Sequence, residues 1–142
     1  MWIRERVDDY IWFDQQHAMI QHPKKEEIVD TCIAFEQIHG DEIKRLIERM
    51  NFDKYTCLIE LNTAIFRYIS DIGPNQACEK CWKNVILSMV VGGVVAVKYA
   101  MLNDYHNVDN TAGTLGCFVR DIFGRWIDYE TSGWENFKKI DV

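Results

Sequence analysis

Thirteen consecutive residues from Val85 to Val97 read VILSMVVGGVVAV, with no charge and Ser88 as the one polar side chain. The run falls short of the roughly 20 apolar residues that cross a bilayer. Its β-branched content is compatible with a buried strand. With Trp82 before it and Tyr99-Ala100-Met101-Leu102 after it, the length favours a helix. A helix that is apolar all round has to be wrapped by neighbours on every side. Gly92 and Gly93 in its middle let one of those neighbours approach the backbone closely. The rest of the chain is therefore expected to form a shell of helices around a central one. At 142 residues and 16.7 kDa it can bury a full core without metals or disulfides. Two prolines and eight glycines leave little punctuation for a fold of many short strands. The expectation is all-α, one domain over residues 1–142.

The shell is written as amphipathic stripes. Ile3, Val7, Tyr10, Ile11 and Ala18 follow helical spacing, and Arg4 and Asp8 can pair on the opposite face. Gln21-His22-Pro23 breaks that pattern, and Pro23 suits the first turn of a new helix. From Glu26 to Met50 a second stripe runs through Ile28, Cys32, Phe35, His39, Ile43, Leu46 and Met50. Gly40 marks either a break between two helices or a close approach to the backbone, and as an interior glycine it costs roughly 1 kcal/mol relative to Ala. Asp53 is a fitting N-cap for a segment from Lys54 to Asp71, which carries Leu58, Leu61, Ile65, Tyr68 and Ile69. Gly73-Pro74-Asn75 ends it. After the central helix, a polar loop is expected from Asn103 to Asn110, then a weaker helix from Thr111 to about Trp126. Thr131-Ser132-Gly133 turns the chain, and Ser132 with Glu135 forms a capping box ahead of Trp134 and Phe137.

Charge and side-chain chemistry narrow the function. Sixteen Lys and Arg against 22 Asp and Glu leave a net charge of −6, which argues against a nucleic-acid partner. The five cysteines are an odd number with no apolar leader ahead of them, so a reducing, cytoplasmic setting is expected. Cys78-Glu79-Lys80-Cys81 is a C-x-x-C pair with no second ligand pair at zinc spacing and no βαβ context for redox chemistry. His17, His22, His39 and His106 form no H-E-x-x-H array, and no phosphate loop or nucleophile elbow is present. The chain reads as non-enzymatic, with no metal and no cofactor.

Four stretches carry a family resemblance. Cys81-Trp82-Lys83-Asn84, with Gly92-Gly93 eight residues later, resembles the first homology motif of the Bcl-2 family: N-W-G-R, an apolar run, then a small pair. The stretch from Trp126-Ile127 through Gly133-Trp134 to Phe137 resembles the second motif, W-I…G-W-x-x-F, and the separation of the two fits the helices between them. Arg6-Val7-Asp8-Asp9-Tyr10-Ile11 is similar to the family's N-terminal helix. His39-Gly40-Asp41-Glu42-Ile43 resembles the G-D-E core of the third motif, with Glu36 where a Leu is expected. The brevity and the missing hydrophobic tail resemble a viral member.

The resemblance implies a Bcl-2-like helical bundle, amphipathic helices around a central hydrophobic one, and a surface groove for an amphipathic BH-3 helix. By residue matching, Ile43, Ile47 and Met50 form one wall, Leu58, Leu61 and Ile65 the other, and Asn84 and Val85 the base. It implies an anti-apoptotic regulator in the host cytoplasm. Its partners would be pro-apoptotic BH-3 proteins (Bim-like), which could recruit it to mitochondria without a membrane span of its own. One departure bears on affinity. Lys83 and Asn84 stand where the family has Gly and Arg, so a neutral hydrogen bond of about 1 kcal/mol replaces a charged one of roughly 1.5–3. A narrower or weaker ligand range is expected. The alternative is a Bcl-2-like host-modulating protein whose groove is closed or used for self-association. Exposed aromatics such as Trp2 or Trp12 would then serve a homodimer interface.

Overall fold

In a computed structural model of the chain, the described residues are 25–50, 62–65, 67, 68, 80–131, 133, 136 and 137. Among these residues the secondary structure is helical and contains no strand. Helix α1 spans Lys25–Arg49, α2 spans Trp82–Met101 and α3 spans Tyr105–Arg125. A π-helical turn, Trp126–Glu130, continues α3, and further helical residues lie within 62–68.

Helix α1 follows its predicted stripe. Ile28, Cys32, Phe35, Ile43 and Leu46 are buried, His39 and Met50 half-buried, while Asp30, Gln37, Asp41 and Arg45 on the other face are exposed. Glu26 and Glu27 in the first turn and Arg49 in the last complement the helix dipole. The helix runs unbroken through Gly40. Among the described residues the nearest group to a Cβ added there is the Cγ of Glu36, 3.3 Å away on the same helix. Gly40 is therefore not a break, and among the described residues no neighbouring helix is seated on it. The apolar stripe outweighs its poor propensity.

Helix α2 is the expected centre. Every residue from Asn84 to Ala96 is buried, with Tyr99 beyond, and α1 and α3 both pack against it. It is longer than its thirteen-residue apolar kernel. At 20 residues and a mean hydropathy of 1.7, it meets the length and apolarity of a bilayer-crossing helix, which corrects the argument from shortness. Its apolar character has another use here, since 78% of that window is buried inside the protein. Ser88 satisfies its hydroxyl by donating to the Asn84 carbonyl at 2.8 Å. The neighbour that exploits the glycine pair is α3: a Cβ on Gly92 would lie 2.7 Å from Cδ2 of Leu115. Gly93 is buried beside it.

The α2–α3 connection is tighter than the sequence suggests. Asn103 takes a left-handed φ of 57°, a conformation Asn tolerates better than most residues. Its N–H donates to the Ala100 carbonyl at 3.0 Å, and the Asp104 N–H to that of Tyr99 at 2.9 Å. This pair of bonds is a Schellman stop. Asp104 then caps α3, accepting from the Asn107 N–H at 3.3 Å and from Asn107 Nδ2 at 2.8 Å. Helix α3 thus begins at Tyr105, where a loop to Asn110 was expected. Residues 105, 106, 109 and 110 are polar or aromatic because they form the exposed face of its first turns. Thr111, Ala112, Leu115, Gly116, Val119 and Phe123 then carry a buried stripe along the helix.

Candidate functional site

The N-terminal end of α2 holds an aromatic knot built from both motif stretches. Trp82 opens the helix, Trp126 opens the π-turn, and Phe137 lies beyond it. The Trp82 ring centroid is 5.1 Å from that of Trp126 at 67°, and 5.2 Å from that of Phe137 at 82°. Both contacts are edge-to-face, the arrangement favoured by ring quadrupoles. Local geometry returns Phe137 to this place. The Gly133 N–H donates to the Ile127 carbonyl at 2.6 Å and the Asn136 N–H to that of Gly133 at 3.1 Å. Gly133 sits at φ 104°, a backbone region a side chain would strain. The predicted turn at 131–133 is thus present. Ser132, Glu135 and Trp134 lie outside the described residues.

The residues expected to line a groove are placed unevenly. Ile43, Ile47, Ile65, Asn84 and Val85 are buried, and all but Asn84 belong to the continuous hydrophobic core. Met50 is half-buried against that core. Leu58 and Leu61 lie outside the described residues. Lys83 is half-buried, one residue from the wholly buried Asn84. Of the predicted lining, the described residues Ile43, Ile47, Ile65, Asn84 and Val85 are thus covered, and Met50 partly so.

Titratable groups in the core are held neutral. Burial, and secondarily the charge of Glu36, pushes the Cys32 thiol well above its ordinary range, so it is an inert core residue and not a nucleophile. Burial, and secondarily the charge of Glu42, raises the Tyr68 phenol in the same way. On α1, His39 Nδ1 lies 3.6 Å from Glu42 Oε2, beyond a good hydrogen bond, and its ring stacks 4.4 Å from Phe35. No group of three His, Cys, Asp or Glu suited to a metal occurs among the described residues. Cys81 is the half-buried N-cap residue of α2, and makes no side-chain cap bond. Its C-x-x-C partner, Cys78, lies outside the described residues.

Among the described residues, two of the surface depressions bear on function. One, of about 570 Å³, lies beside the knot and is lined by Lys80, Arg120, Asp121, Arg125, Trp126, Asp128 and Tyr129 among others. Arg120 Nε donates to Asp121 Oδ1 at 3.2 Å there, which raises the guanidinium above its ordinary range and neutralises part of the charge. The other, of about 490 Å³, lies between α1 and the C-terminal half of α2. Ile47 and Val94 line it with Val97, Met101 and Leu102, the last three being exposed. This exposed end was not foreseen from the sequence, because Val97 reads as the continuation of the buried run.

The fold and these sites define a helical bundle around a buried central helix, with an aromatic knot at one end of that helix. No protein-family model, curated protein or solved structure matches the chain.

Proposed function

We propose that the chain is a non-enzymatic, anti-apoptotic regulator of the Bcl-2 type, which sequesters pro-apoptotic BH-3 proteins of the host cytoplasm. The observation that supports this reading best is the aromatic knot. Trp82 of the first motif packs on Trp126 and Phe137 of the second, so two stretches that resemble one family in sequence also meet in space. The buried helix between them supplies the apolar centre that such a bundle needs.

In this reading a BH-3 helix presents apolar anchors at i, i+3/i+4 and i+7 to the surface between Ile43, Ile47 and Met50 on one side and Ile65 on the other. Those side chains are already packed, so the ligand has to displace protein contacts as it enters. Only the fraction of molecules in the open arrangement binds, and apparent affinity falls by that fraction. Asn84 adds a neutral donor where a charge is usual. Both effects favour a narrow ligand range.

Calorimetric titration of a BH-3 peptide panel, with oligomeric state measured by light scattering, tests the proposal. One or a few Bim-like peptides are expected to bind, with weaker binding in Met50→Asp, a half-buried position, while circular dichroism shows the fold kept. Equal, tight binding of the whole panel would overturn the narrow range. A specific observation favours a second reading, because Ile43, Ile47, Ile65 and Val85 are each no more than 1% exposed. A closed groove, with activity through another face or through a homodimer, predicts that no peptide binds while the dimer mass is found.

A further inference from the structure

We propose that Asn62 and Tyr68 are polar contacts of the peptide-binding surface, and that they select a helix which presents a neutral amide side chain, Asn or Gln, to them. This rests on the Bcl-2-type reading above and names a feature of its ligand. Residues 62–65, 67 and 68 are helical. Asn62, Ile65 and Tyr68 follow one another there at steps of three, so each neighbours the next along the helix surface. Ile65 is an apolar wall of the proposed surface. The two polar residues flank it, one about a turn before and one about a turn after.

Unmet hydrogen bonding marks both residues. Tyr68 is 0% exposed, and its hydroxyl has no hydrogen-bond partner. The side-chain oxygen of Asn62 is likewise shut off from solvent and without a partner, although the residue as a whole is half-buried. Buried polar groups are nearly always paired, because an unpaired one has lost its water and gained nothing in return. Here two such atoms lie within two helical turns, on either side of one contact residue. In the free bundle they lower stability. A ligand that supplies their partners restores what was lost, and its affinity rises by that amount.

The chemistry of the two atoms selects the group that meets them. Backbone N–H and carbonyl groups of an entering helix are bonded within it, so the partners have to be side chains. The Asn62 oxygen only accepts, and a carboxylate at neutral pH has no proton to give it. Tyr68 keeps its proton to donate, because burial, and secondarily the charge of Glu42, holds the phenol above its ordinary range. The same Glu42 charge opposes an entering carboxylate. A lysine would donate to both atoms but leave the Tyr68 proton without an acceptor, and it would carry a charge into an apolar wall. An amide has a carbonyl for the Tyr68 hydroxyl and an NH₂ for the Asn62 oxygen, with no charge to desolvate. Asn84, wholly buried at the base, is neutral too.

The probe is a Bim-like BH-3 peptide with a set of copies in which each Asp or Glu in turn becomes Asn or Gln. Each is titrated calorimetrically into the whole chain. At least one copy is expected to bind wild type about five-fold more tightly than the parent, the worth of one neutral hydrogen bond. That gain should vanish in Tyr68→Phe or in Asn62→Ala. Without peptide, Tyr68→Phe should unfold at a higher urea concentration than wild type, since it keeps the ring and removes an unpaired buried hydroxyl. A firmer fold combined with weaker binding is a result that a merely structural tyrosine does not give. If the parent binds and no copy binds more tightly, or if the gain survives in both variants, the amide preference fails and the BH-3 reading stands. A lower urea midpoint for Tyr68→Phe would also overturn it, because the hydroxyl would then have a partner in the free chain. If neither parent nor copies bind, both fall together.

Discussion

The two ends of α2 are written in the same apolar alphabet and meet opposite fates. At the N-terminal end, Trp82 is clasped by Trp126 and Phe137, and every residue from Asn84 to Ala96 is covered. At the C-terminal end, Val97, Met101 and Leu102 are exposed to solvent. The difference lies in what the rest of the chain does nearby. The π-turn and Gly133 fold Phe137 back onto the first end. At the other end, the Schellman stop at Asn103 sends the chain straight into α3, leaving one face without cover. Hydrophobicity along a helix thus states a demand for cover, and the local turn geometry decides whether it is met.

The strongest way to break this comparison is to empty the knot. Trp82→Ala removes two edge-to-face contacts, worth about 0.5–1.5 kcal/mol each beyond area burial. Aromatic-to-alanine changes in cores cost about 3–5 kcal/mol, and half-burial puts this one near the lower figure, about 3. A urea melt should show a lower midpoint with an unchanged slope. Trp82→Phe should recover part of the loss by restoring a ring to the site. A cost under about 1 kcal/mol would mean that the knot is not what secures this end.

The middle of the helix offers a finer test. Gly92→Ala places a Cβ 2.7 Å from Cδ2 of Leu115, and Leu115 is itself fully buried, so it must shift against its core neighbours. Overpacking of this kind costs about 1–3 kcal/mol. The substitution also removes a helix-interior glycine, a gain of about 1 kcal/mol. The expected balance is a loss of about 1 kcal/mol. Shortening the neighbour should reverse the sign of the coupling: in a double-mutant cycle, Gly92→Ala should be better tolerated with Leu115→Val than alone. Additive effects would show that α3 does not approach α2 through this pair.

Much of the bundle was legible because burial in helices leaves a periodic mark. The α1 stripe through Ile28, Cys32, Phe35, Ile43 and Leu46, the covered run of α2 from Val85 to Ala96, and the turn before Phe137 all follow from spacing and residue type. Two features did not. Gly40 left a break and a close approach equally open because a propensity is local, whereas seven turns of apolar stripe are held by packing. Residues 105–110 read as a loop because polar residues lie both in loops and on the exposed first turns of a capped helix, and Asp104 is the cue that separates them. The candidate site was less legible still. Ile43 and Ile47 carry the same spacing whether they wall an open groove or pack in a closed core. Their burial depends on residues far away in sequence.

The smallest expected effect tests the exposed end. Met101 is 79% exposed, so its side chain loses little contact with water on folding and adds little to stability. Met101→Ser should therefore change the unfolding free energy by no more than about 0.5 kcal/mol, chiefly through the weaker helix propensity of Ser. A near-zero result is informative because it contrasts with about 3 kcal/mol for Trp82→Ala on the same helix. A loss above about 1 kcal/mol would mean that Met101 is covered in solution, and the asymmetry between the two ends would disappear.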